Sequence, residues 1–179
     1  MDATVTTIVL LAALMHAVWN ALLKSSADRL VELTTLNLSA GVVALTVIPF
    51  VGFPATESFP FLLATLVLHV GYYAFLILSY NRGGLSLVYP IARGGSPVLV
   101  ALVSALFLGE VLSGTQTLGV VIITASIAGL AFAGGVAGLS STAILFALGT
   151  SVMIAGYSIA DGLGARVSGA PIAYIASFF

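Results

Sequence analysis

The chain contains no cysteine and very little charge. Cysteine is absent from all 179 residues, which excludes disulfides, thiolate-bound zinc, iron–sulfur clusters and thiol nucleophiles. Lys and Arg together number 5, Asp and Glu 6, and the net charge is −1, so the chain has no basic stripe for a phosphate backbone. Charged residues make up 6% of the sequence, whereas soluble domains contain about 25%. We therefore expect neither a nucleic-acid partner nor a soluble fold.

Motifs for ATP, metals and hydrolysis are also missing. The glycine-containing stretches GGVAG and DGLGARVSG match neither the Walker A sequence nor the dinucleotide-binding fingerprint, which excludes an ATP-driven pump. The two histidines lie in separate apolar runs, without the ligand clusters of a metal site. No nucleophile and base pair is recognisable. We expect no catalytic residue, no metal, no cofactor and no enzymatic activity.

Long apolar runs dominate what is present. Hydrophobic residues make up 60% of the chain, and its mean hydropathy is +1.23. Runs near the roughly 20 residues that cross a bilayer recur along it, continuously apolar rather than alternating as in barrel strands. They predict an all-α membrane protein, a polytopic bundle embedded in a lipid bilayer. The predicted spans are Val5–Leu23, Leu33–Phe53, Phe61–Tyr80, Leu85–Leu108, Thr117–Val136 and Thr142–Ala160, with a seventh that opens at Pro171.

An internal repeat is indicated by a shift of the sequence by 138 residues, which aligns the sixth span with the first. Trp19 then meets Tyr157, which makes Tyr157 a second-copy counterpart of a first-span residue. A unit of five helices is odd-numbered, so its second copy enters the membrane from the opposite side, as in many secondary transporters. We predict one complete unit over residues 1–136 and the start of a second over 137–179. Because the seventh span stops at Phe179, we expect a truncated sequence.

The first span carries a polar stripe. His16, Asn20 and Lys24 are spaced four residues apart, with Trp19 alongside, so they share one helical face. One interpretation is structural: Lys24 snorkels to the headgroups and Asn20 joins two helices. The other makes His16, Trp19 and Asn20 the wall of a polar cavity.

The third span also concentrates polar aromatic residues near one face. His69, Tyr72 and Tyr73 stand at i, i+3 and i+4, followed by Tyr80. Tyr80 is explained as a residue of the membrane interface, whereas His69 lies nearer the middle of its span. His69 is either hydrogen-bonded to a neighbouring helix or, with Tyr72, part of the same cavity.

The fourth span contains an arginine between two prolines. Tyr89 and Arg93 lie on one face, Pro90 and Pro97 each remove a backbone donor, and the pair Gly94–Gly95 leaves the backbone approachable. Arg93 either snorkels to the headgroups or faces a cavity. In the second case its fork of donors fits a carboxylate or phosphate.

The acidic residues, by contrast, fall at predicted span ends or in connections. Glu110 is placed in the fourth connection, and Asp161 and Arg166 in the sixth. A transporter of organic cations normally needs a carboxylate within the membrane. The sequence therefore favours an anionic or zwitterionic solute.

Two stretches resemble the EamA-type branch of the drug/metabolite transporter superfamily. They are SLVYPIARGGSPVLVALVSALFLGEVLSGTQTLGVVIITASIAGL, with its LGE turn, and AVWNALLKSSA in the first span. The resemblance implies ten helices in two inverted five-helix units around a central cavity, in a bacterial-type plasma (inner) membrane, and alternating access without ATP. It also implies that Trp19 and Asn20 lie near the cavity and that Glu110 is structural.

We accordingly expect a multi-pass secondary transporter, an exporter or permease, of small organic solutes or metabolites. Arg93 would hold an anionic group, Tyr89 and Tyr157 would line the site with Trp19, and His16 or His69 would titrate near neutral pH to couple protons. Two alternatives remain: a non-transporting membrane scaffold or assembly subunit, and a multidrug exporter of organic cations. Assembly as a homo-oligomer is compatible with each.

Overall fold

The structure is a computed structural model that describes residues 29–83, 85–130 and 140–179, together with scattered positions between 4 and 18. Among these residues it contains helices, turns and loops but no strand, which confirms the predicted all-α class. A short 3₁₀ helix, Thr56–Ser58, precedes the second α-helix. The α-helices are α1 (Arg29–Val51), α2 (Phe59–Tyr80), α3 (Leu85–Phe107), α4 (Gly114–Leu130), α5 (Ser141–Val167) and α6 (Pro171–Phe178).

Four of these helices, α1, α2, α3 and α5, are long and apolar enough to cross a membrane, and α4 is a shorter apolar helix. The chain is therefore a membrane-embedded helical protein. Helices α1 to α5 correspond to the second to sixth predicted spans and α6 to the seventh, while the described positions of the first span are also helical. The division into repeat units stays a prediction.

One predicted boundary is wrong. The sixth span was expected to end at Ala160, but α5 continues to Val167 and is 27 residues long. Asp161 and Arg166 are consequently helical residues rather than members of a connection. The physical reason is that a helix is sustained by its own backbone hydrogen bonds and by packing, and neither requires the apolar run to continue.

The chain divides into two compact units, and α2 to α6 lie in the second, Phe53–Phe178. Helix α5 is central there, because it packs against α2 on one side and α3 on the other. It runs antiparallel to α2 and parallel to α3. Its buried side chains are mostly small, which permits the close helix approach that membrane proteins prefer. Four of them repeat at intervals of four residues: Ala143, Ala147, Ser151 and Ala155.

Polar side chains and a proline mark several helix ends. The Ser140 side chain caps α5 by accepting a hydrogen bond from the backbone N–H of Ala143 at 3.2 Å. Ser113 precedes α4 and exchanges hydrogen bonds with Gln116 in both directions, at 2.8 and 3.3 Å, which is a capping box. Pro171 is the first residue of α6, where its missing N–H costs nothing.

The outward faces carry large apolar side chains, which is the surface that a helix presents to lipid rather than to water. They occur on each of the helices α2, α4 and α5. Examples that are each more than 50% exposed are Leu63, Val67, Val70, Leu118, Val121, Leu145 and Val152. Several polar side chains of the second unit are buried instead, among them Thr65, Ser96 and Ser151.

Candidate functional site

Helix α3 stays continuous through both of its prolines, and a serine compensates for one of them. Pro97 has no N–H, so the carbonyl of Arg93 lacks its usual donor four residues later. The hydroxyl of Ser96, which is buried, donates to this carbonyl at 2.9 Å. The backbone at Arg93 is therefore satisfied without a break in the helix.

A close contact between α3 and α5 fixes the level of Arg93 in the bundle. The Ser151 hydroxyl lies within hydrogen-bond distance of two α3 carbonyls, those of Ile91 at 2.8 Å and Ala92 at 2.9 Å. A Cβ on Gly95 would lie 2.6 Å from the Ser151 oxygen, so only glycine fits at this crossing. The predicted approachable backbone at Gly94–Gly95 is confirmed at Gly95.

The guanidinium of Arg93 is directed at α2. Its Nη2 donates to the Tyr72 hydroxyl at 3.2 Å, and its Cζ lies 5.8 Å from the Tyr72 ring centroid and 6.0 Å from that of Tyr89. Arg93 is half-buried and Tyr72 buried. Within the described part of the chain, the one ion pair is Arg166 with Glu110, so Arg93 has no carboxylate partner there. These contacts favour a role inside the bundle over snorkelling.

Aromatic rings surround the next turn of α2. The His69 ring stacks on Tyr157 with centroids 4.1 Å apart and lies 4.7 Å from the Phe178 ring. Tyr72 meets Tyr157 edge to face at 6.0 Å. His69 Nδ1 is 2.9 Å from the carbonyl of Thr65 and donates to it when that nitrogen carries the proton. Below, "the Arg93 cluster" means His69, Tyr72, Tyr89, Arg93 and Tyr157.

An aspartate lies one turn beyond this cluster on α5. Asp161 Oδ1 accepts a hydrogen bond from the Thr65 hydroxyl at 2.6 Å and another from the Tyr174 hydroxyl at 3.3 Å. Tyr174, on α6, is 1% exposed. Because α5 extends six residues past Asp161, the carboxylate is about 9 Å from the helix end. Asp161 thus joins α2, α5 and α6 within the helical part of α5.

Five of the eight predicted site residues come together as the Arg93 cluster, from three helices that the sequence did not show to be neighbours. Tyr157 was predicted only from its alignment with Trp19, and its ring contacts His69 and Tyr72. The three first-span candidates, His16, Trp19 and Asn20, lie outside the described residues.

Sequence reasoning missed four residues around the cluster: Thr65, Asp161, Tyr174 and Phe178. A usable signal existed for Asp161, because it follows Tyr157 by four residues and so lies on the same face of α5. Thr65 likewise precedes His69 by four residues on α2. Tyr174 and Phe178 sit on the shortest helix, where no periodic pattern was long enough to read.

A separate groove lies between α3, α4 and α5. Its volume is about 420 Å³, within the range of small-molecule sites. Serine hydroxyls from Ser96, Ser104 and Ser158 and the amide of Gln116 contribute to its otherwise mainly apolar lining. Glu110 at one end is paired with Arg166 at 3.2 Å, and both side chains are exposed. The described lining contains no cation, so the groove is a weaker candidate for an anionic group than the Arg93 cluster.

Comparisons of the chain with protein-family models, with curated proteins and with solved structures find no match. Functional inference therefore rests on the geometry of the cluster itself.

Proposed function

We propose that this chain is part of a secondary transporter of small organic solutes, in which Arg93 binds an anionic group of the substrate. The observation that carries the proposal is a guanidinium held between membrane helices by tyrosines, with no carboxylate partner among the described residues. Ionisable side chains inside membrane helices are costly, and they commonly mark substrate or ion pathways.

The surroundings of Arg93 suit a planar anionic ligand. Its guanidinium presents several donors in a fixed fork, which matches a carboxylate or a phosphate. The Tyr72 ring lies beside the guanidinium, and the rings of Tyr157 and His69 pack next to it. A small solute with one anionic group and an apolar body fits this combination.

A cation exporter is the rival within transport, and one observation favours it. Asp161 lies inside α5, which removes the earlier reason for excluding cations, namely that all acidic residues were outside the spans. However, two hydroxyls already occupy Asp161 Oδ1, and Arg93 would repel a cation entering the cluster. We therefore retain the anionic substrate.

The proposed mechanism is alternating access around the cluster, without ATP, in a protein of two inverted five-helix units. The EamA-type family assignment and the inner-membrane location rest on the sequence motifs alone, and the comparisons add nothing to them. The helices that would have to move are α2, α3 and α5, since they supply every residue of the Arg93 cluster.

The test is ligand-induced stabilisation of the purified protein against carboxylates, phosphorylated metabolites, amino acids and organic cations. A ligand at 100 times its Kd stabilises the native state by about 2.7 kcal/mol. We expect anionic compounds to stabilise the parent protein and Arg93→Gln to lose this effect. The matched control is Arg82→Gln, because Arg82 also lies over a ring, that of Phe146 at 4.9 Å, but is exposed at the start of the connection after α2.

The control variant should respond like the parent. Stabilisation by organic cations alone, or an equal response of the parent and Arg93→Gln to every anion, would show that Arg93 is not a substrate anchor. A chain that no compound stabilises, but whose Arg93→Gln variant fails to assemble, would instead support the scaffold alternative.

A further inference from the structure

The packed interior of the second unit contains three ionisable side chains other than tyrosines, within the residues described. They are His69 on α2, Arg93 on α3 and Asp161 on α5, and all three are half-buried. The other charged residues of the second unit for which the structure describes side chains lie at exposed ends or connections: Glu57, Arg82, Glu110 and Arg166. The interior therefore balances one permanent cation, Arg93, against one carboxylate, Asp161.

Binding of an anionic substrate would disturb this charge balance. With His69 neutral, the positive charge of Arg93 and the negative charge of Asp161 sum to zero within this interior. An anion that binds to Arg93 leaves one uncompensated negative charge in a medium of low dielectric constant, which is unfavourable. One proton added to the same set of groups restores neutrality.

We propose that Asp161 is the proton-binding site of the transporter and takes up one proton when an anion binds to Arg93. The step is a protonation of a carboxylate oxygen by a proton from water and involves no redox change. The inference rests on the proposed function, and it makes the transport reaction a symport of proton and anion.

The hydrogen bonds of Asp161 suit both protonation states. A carboxylate accepts from the hydroxyls of Thr65 and Tyr174, as observed. A protonated carboxyl must donate one hydrogen bond, and a hydroxyl can reverse its role and accept it. A proton, unlike a substrate ammonium group, requires no additional volume.

His69 is less suited to this role. Its Nδ1 is already directed at the Thr65 carbonyl, and its ring is held by Tyr157 and Phe178. A protonated imidazole needs acceptors for both N–H groups, and the described residues provide one for Nδ1 alone. The second N–H of a protonated His69 would therefore have no hydrogen-bond acceptor among the described residues.

Protonation of Asp161 also affects the hydrogen bonds that join α5 to α2 and α6. The groups facing Asp161 are Tyr157 on its own helix, Thr65 and His69 on α2, and Tyr174 on α6, with Arg93 of α3 beyond the tyrosine rings. When Oδ1 carries the proton, one of the two hydroxyls that α2 and α6 contribute changes from donor to acceptor. The protonation state of Asp161 is thereby linked to the contacts of α5 with α2 and α6.

The first experiment requires no substrate. Infrared difference spectra between alkaline and acidic pH should show the carbonyl bands of protonated carboxylic acids, and Asp161→Asn should lack the component that Asp161 contributes. The chain contains 6 Asp and Glu residues in all, so Glu57→Gln, at an exposed carboxylate, is the control and should keep that component.

The second experiment uses benzoate, a monovalent carboxylate with a ring for the aromatic surfaces. Calorimetric titration in two buffers of different protonation enthalpy should show uptake of up to one proton per benzoate. Its affinity should rise by up to tenfold per unit fall in pH, since a bound proton and a bound anion favour each other reciprocally. Asp161→Asn should abolish both effects, and Glu57→Gln, at an exposed carboxylate outside the cluster, should preserve them.

Proton uptake that survives in Asp161→Asn would overturn the inference, as would benzoate affinity that depends on sodium rather than pH. Carboxylic acid bands that do not differ between the parent and Asp161→Asn would overturn it even if benzoate does not bind. Benzoate binding lost in Arg93→Gln but independent of pH would leave the anion site standing and refute the proton site alone.

Discussion

Replacing Gly95 by alanine tests the helix crossing that places Arg93. The added Cβ would lie 2.6 Å from the Ser151 hydroxyl oxygen and 3.2 Å from its Cβ. The hydroxyl cannot simply rotate away, because it bonds the carbonyls of Ile91 and Ala92 at 2.8 and 2.9 Å. Either these hydrogen bonds are lost or α3 and α5 must separate.

The expected cost follows from three contributions. Overpacking of a tight contact typically costs about 1 to 3 kcal/mol, and an interhelical hydrogen bond in a membrane protein contributes about 0.6 kcal/mol on average. Alanine is a better helix former than glycine by about 1 kcal/mol, which offsets part of the loss. We expect Gly95→Ala to lower the free energy of unfolding by about 1 to 2 kcal/mol.

A matched substitution isolates the contact. Gly119 is also a helical glycine, on α4, but a Cβ there meets no atom within 4 Å. Gly119→Ala should be neutral or stabilising by up to about 1 kcal/mol, because only the helix propensity changes. The assay is reversible unfolding of each variant in the same detergent or lipid, with helix content as the readout.

The double variant Gly95→Ala/Ser151→Ala completes a mutant cycle. Removal of the Ser151 hydroxyl relieves the 2.6 Å contact but not the 3.2 Å contact between the two Cβ atoms, so the rescue should be partial. A coupling free energy of roughly 0.5 to 2 kcal/mol is expected for residues in such contact. A Gly95→Ala protein as stable as Gly119→Ala, or a cycle without coupling, would refute the proposed crossing.

Two further substitutions test the other end of α5. Gly164→Ala should destabilise the protein by about 1 to 3 kcal/mol, since its Cβ would collide with the Tyr174 ring. In the control Gly162→Ala the added Cβ meets nothing within 4 Å, so this variant should be neutral or slightly stabilising. Thermal unfolding of both variants checks the prediction, and equal stabilities would contradict it. Glu110→Gln should change stability by no more than about 1 kcal/mol, because its 3.2 Å ion pair with Arg166 is exposed, and a larger loss in the same assay would show that the LGE turn depends on this charge.

The polar faces of the third and fourth spans could be predicted because they depend on helical period alone. His69 and Tyr72 share a face, as do Tyr89 and Arg93, whatever surrounds them. The structure brings these faces together, with Arg93 donating to Tyr72 at 3.2 Å. The helical period does not reveal which helices are neighbours. The central position of α5, and the contacts of Tyr157 with His69 and Tyr72, could therefore not be derived from the sequence pattern.

Asp161 shows a different limit of sequence reading. A charged residue next to glycines at the edge of an apolar run is an ordinary sign that a span has ended. In the structure Asp161 is tolerated inside α5 because Thr65 and Tyr174 hydrogen-bond its carboxylate. Both partners are distant in sequence or on another helix, so no local pattern could have identified them, although the four-residue spacing from Tyr157 placed Asp161 on the correct face.

The contacts of Arg93 explain how its charge can remain without a carboxylate partner among the described residues. An arginine near the middle of a membrane helix costs about 2.5 to 3.5 kcal/mol on insertion scales. A hydrogen bond to a charged group contributes about 1.5 to 3 kcal/mol, and a ring within about 6 Å contributes about 0.5 to 1 kcal/mol. One hydrogen bond to Tyr72 and two rings, at 5.8 and 6.0 Å, thus offset the cost. Since these neutral tyrosines stabilise the guanidinium without cancelling its charge, that charge stays available to an anion that enters the cluster.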